Sequence, residues 1–156
     1  MTKTSVSKIK KLHDRLVPSL QDLFLLIFRI HWGFAFIQTG YGKFIHFERT
    51  RGFFESLQIP FPSVNVLMAA STELFGGALI LLGLGAYIVP IPVIFTMLVA
   101  YGTAHPDGLK SLLDYPNIDP FLQAEPFMFL LTAVIVFLFG PGRLSVDYLL
   151  GKKGHR

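Results

Sequence analysis

Apolar residues in this chain gather into four long runs, separated by stretches rich in charge, proline and glycine. Each run is too long for a strand and reads as helix. The first, about Leu23–Phe44, has 22 residues. At about 1.5 Å per residue such a helix covers roughly 33 Å, enough for the hydrocarbon core of a bilayer. The second spans about Val64–Leu84, and the third runs from near Ala86 to Ala104. Pro90 and Pro92 fall in the first turns of the third, where a missing amide hydrogen is tolerated. In the fourth, the run PFMFLLTAVIVFLF has only 14 residues. Extending it back to Phe121 gives a helix over 121–139, with Pro126 either a kink or the true start. Gly140-Pro141-Gly142 stops it. The pattern predicts an all-α fold, an antiparallel four-helix integral membrane bundle over residues 23–142. It is preceded by a basic, partly helical segment, 1–22, and followed by a basic tail, 143–156.

Polar positions inside the runs change the picture. Glu73 is the only acidic or basic residue between Val64 and Val89. A carboxylate at that depth costs roughly 2.5–3.5 kcal/mol on insertion scales, so a partner is expected. Arg29, Gly33, Phe36, Gly40 and Lys43 share one helical stripe. Ala69, Glu73, Gly76, Gly77 and Ile80 form another on the second helix. Small residues beside a charge suit close helix approach with polar pairing across it, so the two stripes are predicted to face each other. Lys43, Glu73, His105 and Glu125 then surround one pocket opening to the outer face. Arg29 either extends towards Glu73 or snorkels to phosphate headgroups on the other side. His31 and His46 read as structural or interfacial.

Composition agrees with a membrane domain. The chain of 156 residues is 52% hydrophobic and 15% charged, against about 25% charged in ordinary soluble domains. It contains no cysteine, so thiol redox chemistry and thiolate metal sites are excluded. The net charge of +4 sits largely at the two ends and forms no nucleic-acid-binding stripe. Five Lys or Arg precede Asp22 and four follow Gly140, whereas the loop 45–63 has two and the loop 105–125 has one against four acids. The basic excess places both termini in the cytoplasm and requires an even number of crossings of the cell inner membrane. The N-terminus resembles no cleavable signal. Lys8, Lys10, Lys11 and Arg15 either rest on anionic headgroups or belong to a solvated tail. No haem, metal, flavin or nucleotide motif is present.

These residues resemble the DoxX family of small four-helix membrane proteins, which includes the small-subunit type of thiosulfate:quinone oxidoreductase. The resemblance covers Leu23–Leu150. It rests on the Arg29…Gly33…Gly40…Lys43 pattern, on Glu73-Leu-Phe-Gly76-Gly77, on His105, and on the closing Gly140-Pro141-Gly142-Arg143-Leu-Ser145-Val-Asp147. The charged loop 45–63 and the acidic loop 106–125 are longer than the family's usual links. The resemblance implies membrane redox work with quinone and sulfur compounds, or protection against oxidative stress, and gives an Arg143–Asp147 pair a place in the closing motif.

Three functions follow as expectations. In a quinone-linked oxidoreductase subunit, Lys43 or His105 donates to a carbonyl oxygen of the ring and Glu73 relays protons, with Arg29, Glu125, Gly76 and Gly77 as further binding positions. Electrons come from substrate directly or from a soluble or membrane redox partner. In a non-catalytic anchor or assembly subunit, the buried charges fix helix packing instead. In a small proton-coupled transporter, Glu73 is the coupling group, and four helices then call for a homo-oligomer. Whether the chain is itself an enzyme stays open.

Overall fold

A computed structural model describes residues 3–153. The side chains of Lys8, Lys11, Arg15, Lys152 and Lys153, and residues 154–156, lie outside the described residues, and with them most of the charge expected at a membrane surface.

Among the described residues the regular structure is entirely helical. The elements are α1 (Lys3–Ile45), α2 (Phe47–Ser56), α3 (Pro62–Leu82), α4 (Pro90–Ala104), α5 (Pro106–Ser111), α6 (Asp119–Leu122), α7 (Pro126–Phe139) and α8 (Val146–Lys153). Proline opens four of them, α3, α4, α5 and α7. Its fixed φ suits a first helical turn whose amide would lack a partner anyway. The first helix runs across the expected boundary between 1–22 and the span from Leu23. α1 is one helix of 43 residues that continues through Pro18. The third helix starts at Pro90 rather than Ala86, because residues 85–89 form a turn in which Ile88 and Val89 both donate to the Gly85 carbonyl. The fourth starts at Pro126, so Phe121, Gln123 and Glu125 lie outside it. The two long loops contain α2, α5 and α6.

Among the described residues α1 and α3 make the most extensive helix contact, and the glycines of the two stripes bring them close. A Cβ on Gly33 would strike Leu81, one on Gly40 would strike the backbone of Ala70 and Leu74, and one on Gly77 would strike Phe36. Helices can come this close only where side chains are absent. Around this seam pack Phe36, Ile80, Ala86, Val93, Met97, Ala133 and Val136, the buried core shared with α4 and α7.

The outside of the bundle is as apolar as the inside. Phe24, Ile27 and Phe34 on α1, Leu67 and Phe75 on α3, Phe95 and Leu98 on α4, and Leu138 and Phe139 on α7 are all exposed. Arg29 and Glu73, in contrast, are buried, at 0% and 5% exposure. Charge inside and phenylalanine outside is the reverse of a water-soluble surface, which rarely carries large continuous apolar patches. α1 and α3 are long and apolar enough to cross a membrane. α4 and α7, with 15 and 14 residues, are shorter, about 22 Å each at the α-helical rise.

Candidate functional site

Lys43 sits in the last turn of α1, where a cation complements the helix dipole. Glu73 lies eleven residues beyond the start of α3, about 17 Å along its axis. The glycine seam brings these two positions level. Lys43 Nζ donates to Glu73 Oε2 at 2.5 Å. The lysine side chain is 26% exposed and the glutamate 6%. Glu73 has no other hydrogen-bond partner among the described residues, and its second oxygen is not sealed by protein.

Beside the pair lies a cavity of about 330 Å³ between α1, α3, α4 and the start of α7. Lys43, Glu73, His105 and Glu125 all line it. The remaining wall is mostly hydrocarbon and aromatic, including Phe36, Met97 and Phe129. The polar groups among it are largely committed to backbone. Thr39 donates to the Phe36 carbonyl, Thr96 to Pro92, Thr103 to Val99, and Asn65 to Pro60. The Lys43–Glu73 pair is therefore the main polar feature of an otherwise apolar chamber.

His105 and Glu125 are held at the rim by a small cap. His105 joins α4 to α5, its ring edge-on to Tyr101 with centroids 6.4 Å apart. Tyr101 is fully buried, stacks on Phe121 and donates its hydroxyl to the Phe121 carbonyl at 2.8 Å. This ties the segment carrying α6 to α4 and so sets Glu125, the residue just before α7. α5 and α6 pack closely here, with Gly108 against the Pro120 carbonyl.

The other expected site residues lie elsewhere. Gly76 packs against Val93 and Gly77 against Phe36, and neither lines the cavity. Arg29 reaches neither Glu73 nor headgroups. It is enclosed beneath Gly83 and donates through Nη2 to the Leu144 carbonyl at 2.7 Å. Gly83 has a left-handed conformation, φ 66° and ψ 46°, that closes α3 with bonds from Gly83 N to Ile80 and from Leu84 N to Leu79. A side chain there would overlap the Arg29 guanidinium.

The anticipated Arg143–Asp147 pair is not formed. Arg143 instead binds Asp22 through its backbone amide at 2.8 Å and its Nε at 2.6 Å. The Asp147 carboxylate accepts from the amides of Gly85 and Ala86, both at 2.9 Å. Those amides open the turn before α4 and need acceptors, which the Asp147 carboxylate supplies, and these two bonds take up both of its oxygens in place of a pairing with Arg143. Ser145 accepts from the Tyr148 amide at the start of α8. The Gly140–Asp147 motif thus docks the C-terminal segment on the end of the bundle away from the cavity.

The sequence reading missed the wall supplied by α2 and the turn after it: Phe53, Phe54, Leu57 and Ile59 all line the cavity. The signal was present in FERTRGFFES. Glu48, Arg51 and Glu55 are spaced for ion pairs along one helical face and do form them. That leaves the phenylalanines for another face.

The sequence model of the DoxX family matches residues 24–106, just over half of the chain. That stretch includes Arg29, Lys43, Glu73 and His105 and ends before Glu125 and the C-terminal motif. No curated protein matches the chain, and no solved structure matches it.

Proposed function

The chain belongs to the DoxX family and is a membrane protein, and from that premise we propose that it is the membrane subunit of a quinone-linked oxidoreductase. The observation that carries the proposal is the Lys43–Glu73 pair set in an apolar cavity, inside a bundle whose outer surface is also apolar. Small-molecule sites are typically apolar chambers of a few hundred Å³ with a few placed polar groups. A flat ring with two carbonyl oxygens fits that chemistry.

A bound quinone accepts two electrons and two protons. The chain's own residues bind, orient and handle protons. Lys43 Nζ has donor capacity beyond its bond to Glu73 and points a cation at a ring oxygen, where negative charge develops. The free oxygen of Glu73 accepts a proton or passes one on. His105 and Glu125 at the rim connect the chamber to the aqueous side, and the hydrocarbon wall excludes bulk water. Electrons enter from a reduced substrate, a sulfur compound by the family's chemistry, or from a soluble or membrane redox partner. The basic ends favour an inner-membrane bundle of four crossings with both termini cytoplasmic and the cavity towards the outer side.

The test is quinone binding to the protein in lipid nanodiscs, wild type beside Glu73→Gln and Lys43→Met, with thermal unfolding followed in parallel. Saturable binding in the wild type, weakened at least about tenfold by either substitution, is expected. Absence of saturable binding in the wild type, with both substitutions lowering the melting temperature, would assign the ion pair to helix packing and the chain to an anchor subunit. Proton-coupled flux in proteoliposomes without any redox partner would instead favour a transporter.

A further inference from the structure

α3 and α4 touch closely at one level and part at another. A Cβ on Gly76 would come to 2.7 Å from Val93 Cγ2, so the two helices are in direct contact there. Towards the end that holds Lys43 and Glu73, the cavity lies between them. Met68 and Thr72 line its α3 edge, and Phe95 and Val99 its α4 edge. Met68, Phe95 and Val99 are 61%, 67% and 41% exposed although they line the chamber. The same side chains therefore belong both to the cavity wall and to the outer face of the bundle.

We infer that the chamber is filled sideways from the bilayer, through the gap between α3 and α4, by a ligand with a polar ring and a long hydrocarbon tail. The ring seats against Lys43 and Glu73, and the tail leaves through the gap along Met68, Phe95 and Val99. This rests on the quinone reading and adds the route and the tail as part of recognition. Three features support it. The gap edges expose carbon, and in a bilayer they face acyl chains rather than water. The hydroxyls of Thr96 and Thr103 on the α4 side are bonded to their own helix, so a sliding hydrocarbon displaces no donor. Elsewhere the chamber wall carries the exposed carboxylate of Glu125, which suits protons better than an alkyl chain.

The absence of cysteine allows a direct test. Met68→Cys combined with Val99→Cys supplies two thiols, which a short bis-maleimide joins across the gap in the folded protein. Trp32 is the only tryptophan and meets Phe129 of the cavity wall edge-on at 5.5 Å, so its quenching reports a ring in the chamber. The probes are a benzoquinone with a ten-carbon tail and the same ring without a tail, in nanodiscs. The wild type treated with the reagent is the control, and the unlinked double variant shows that folding is intact. Linking should weaken the tailed ring at least about tenfold and change the tail-less ring by less than about threefold. Unchanged binding of the tailed ring after linking would overturn the lateral route. Equal loss for both probes would show that the tail has no seat of its own and would overturn the inference while leaving the quinone reading intact. Failure of both probes to bind the unlinked protein would remove the quinone reading and this inference with it.

Discussion

Lys43 and Glu73 are not equivalent partners, because the carboxylate is the more deeply buried of the two. Lys43→Met leaves a buried carboxylate in an apolar chamber without its lysine, a loss of about 3 kcal/mol, the low end for broken buried pairs because the lysine is partly exposed. Glu73→Gln keeps an acceptor in place and leaves a lysine that can turn to water at the rim, a loss of about 1 kcal/mol. The double change Lys43→Met with Glu73→Leu should recover most of the stability lost by Lys43→Met alone. Chemical denaturation of the wild type and these three variants in one detergent measures the losses and the recovery. A larger loss from Glu73→Gln than from Lys43→Met would mean that the glutamate carries a structural load beyond its lysine.

Helix packing supplies the level at which those two residues meet. Gly40 lies three residues before Lys43 and abuts Ala70 and Leu74, which flank Glu73 on α3. Gly40→Ala must push α1 from α3, at about 1–3 kcal/mol, and it should weaken quinone binding as well as folding by moving Lys43 away from Glu73. Gly102→Ala on α4 meets nothing within 4 Å and should be neutral or stabilise by up to about 1 kcal/mol. Thermal unfolding separates the two, and equal effects would show that the close approach at Gly40 is not what holds α1 on α3. Much of this level is legible in the sequence. Helical character follows from run length, and the facing stripes from the spacing of Gly33, Gly40, Gly76 and Gly77, whereas the observed starts at Pro62 and Pro90 lie two residues before and four residues beyond the expected Val64 and Ala86. The start at Pro126 is also less legible, because the run it opens is short for a membrane and invites extension backwards. α2 is hidden by its low overall hydrophobicity, and the destination of Arg29 by the nature of its acceptor. A backbone carbonyl at Leu144 leaves no side-chain signature, whereas a carboxylate would have been sought.

At the scale of the whole molecule, the cavity with α5 and α6 lies at one end and the docked C-terminal segment at the other. The basic termini predict that the second end faces the cytoplasm. Single-thiol labelling checks this in a cysteine-free chain. Leu113, 93% exposed beside α5, and Gly151 on α8, open on all sides, are suitable positions. In intact cells a membrane-impermeant maleimide should react with Leu113→Cys, and with Gly151→Cys only after permeabilisation. Labelling of both from the same side would show that α7 does not cross, against the four expected crossings, and the reverse pattern would invert the molecule.

The bond from Arg29 to Leu144 spans 115 positions of the chain. During synthesis the guanidinium enters the membrane early, with the first helix, while its acceptor is among the last groups to be made. Every nascent copy therefore carries a bare cation in an apolar setting until its end arrives. A chain cut short before Leu144 would never lose it, and would bear within its first helix a mark of its own incompleteness.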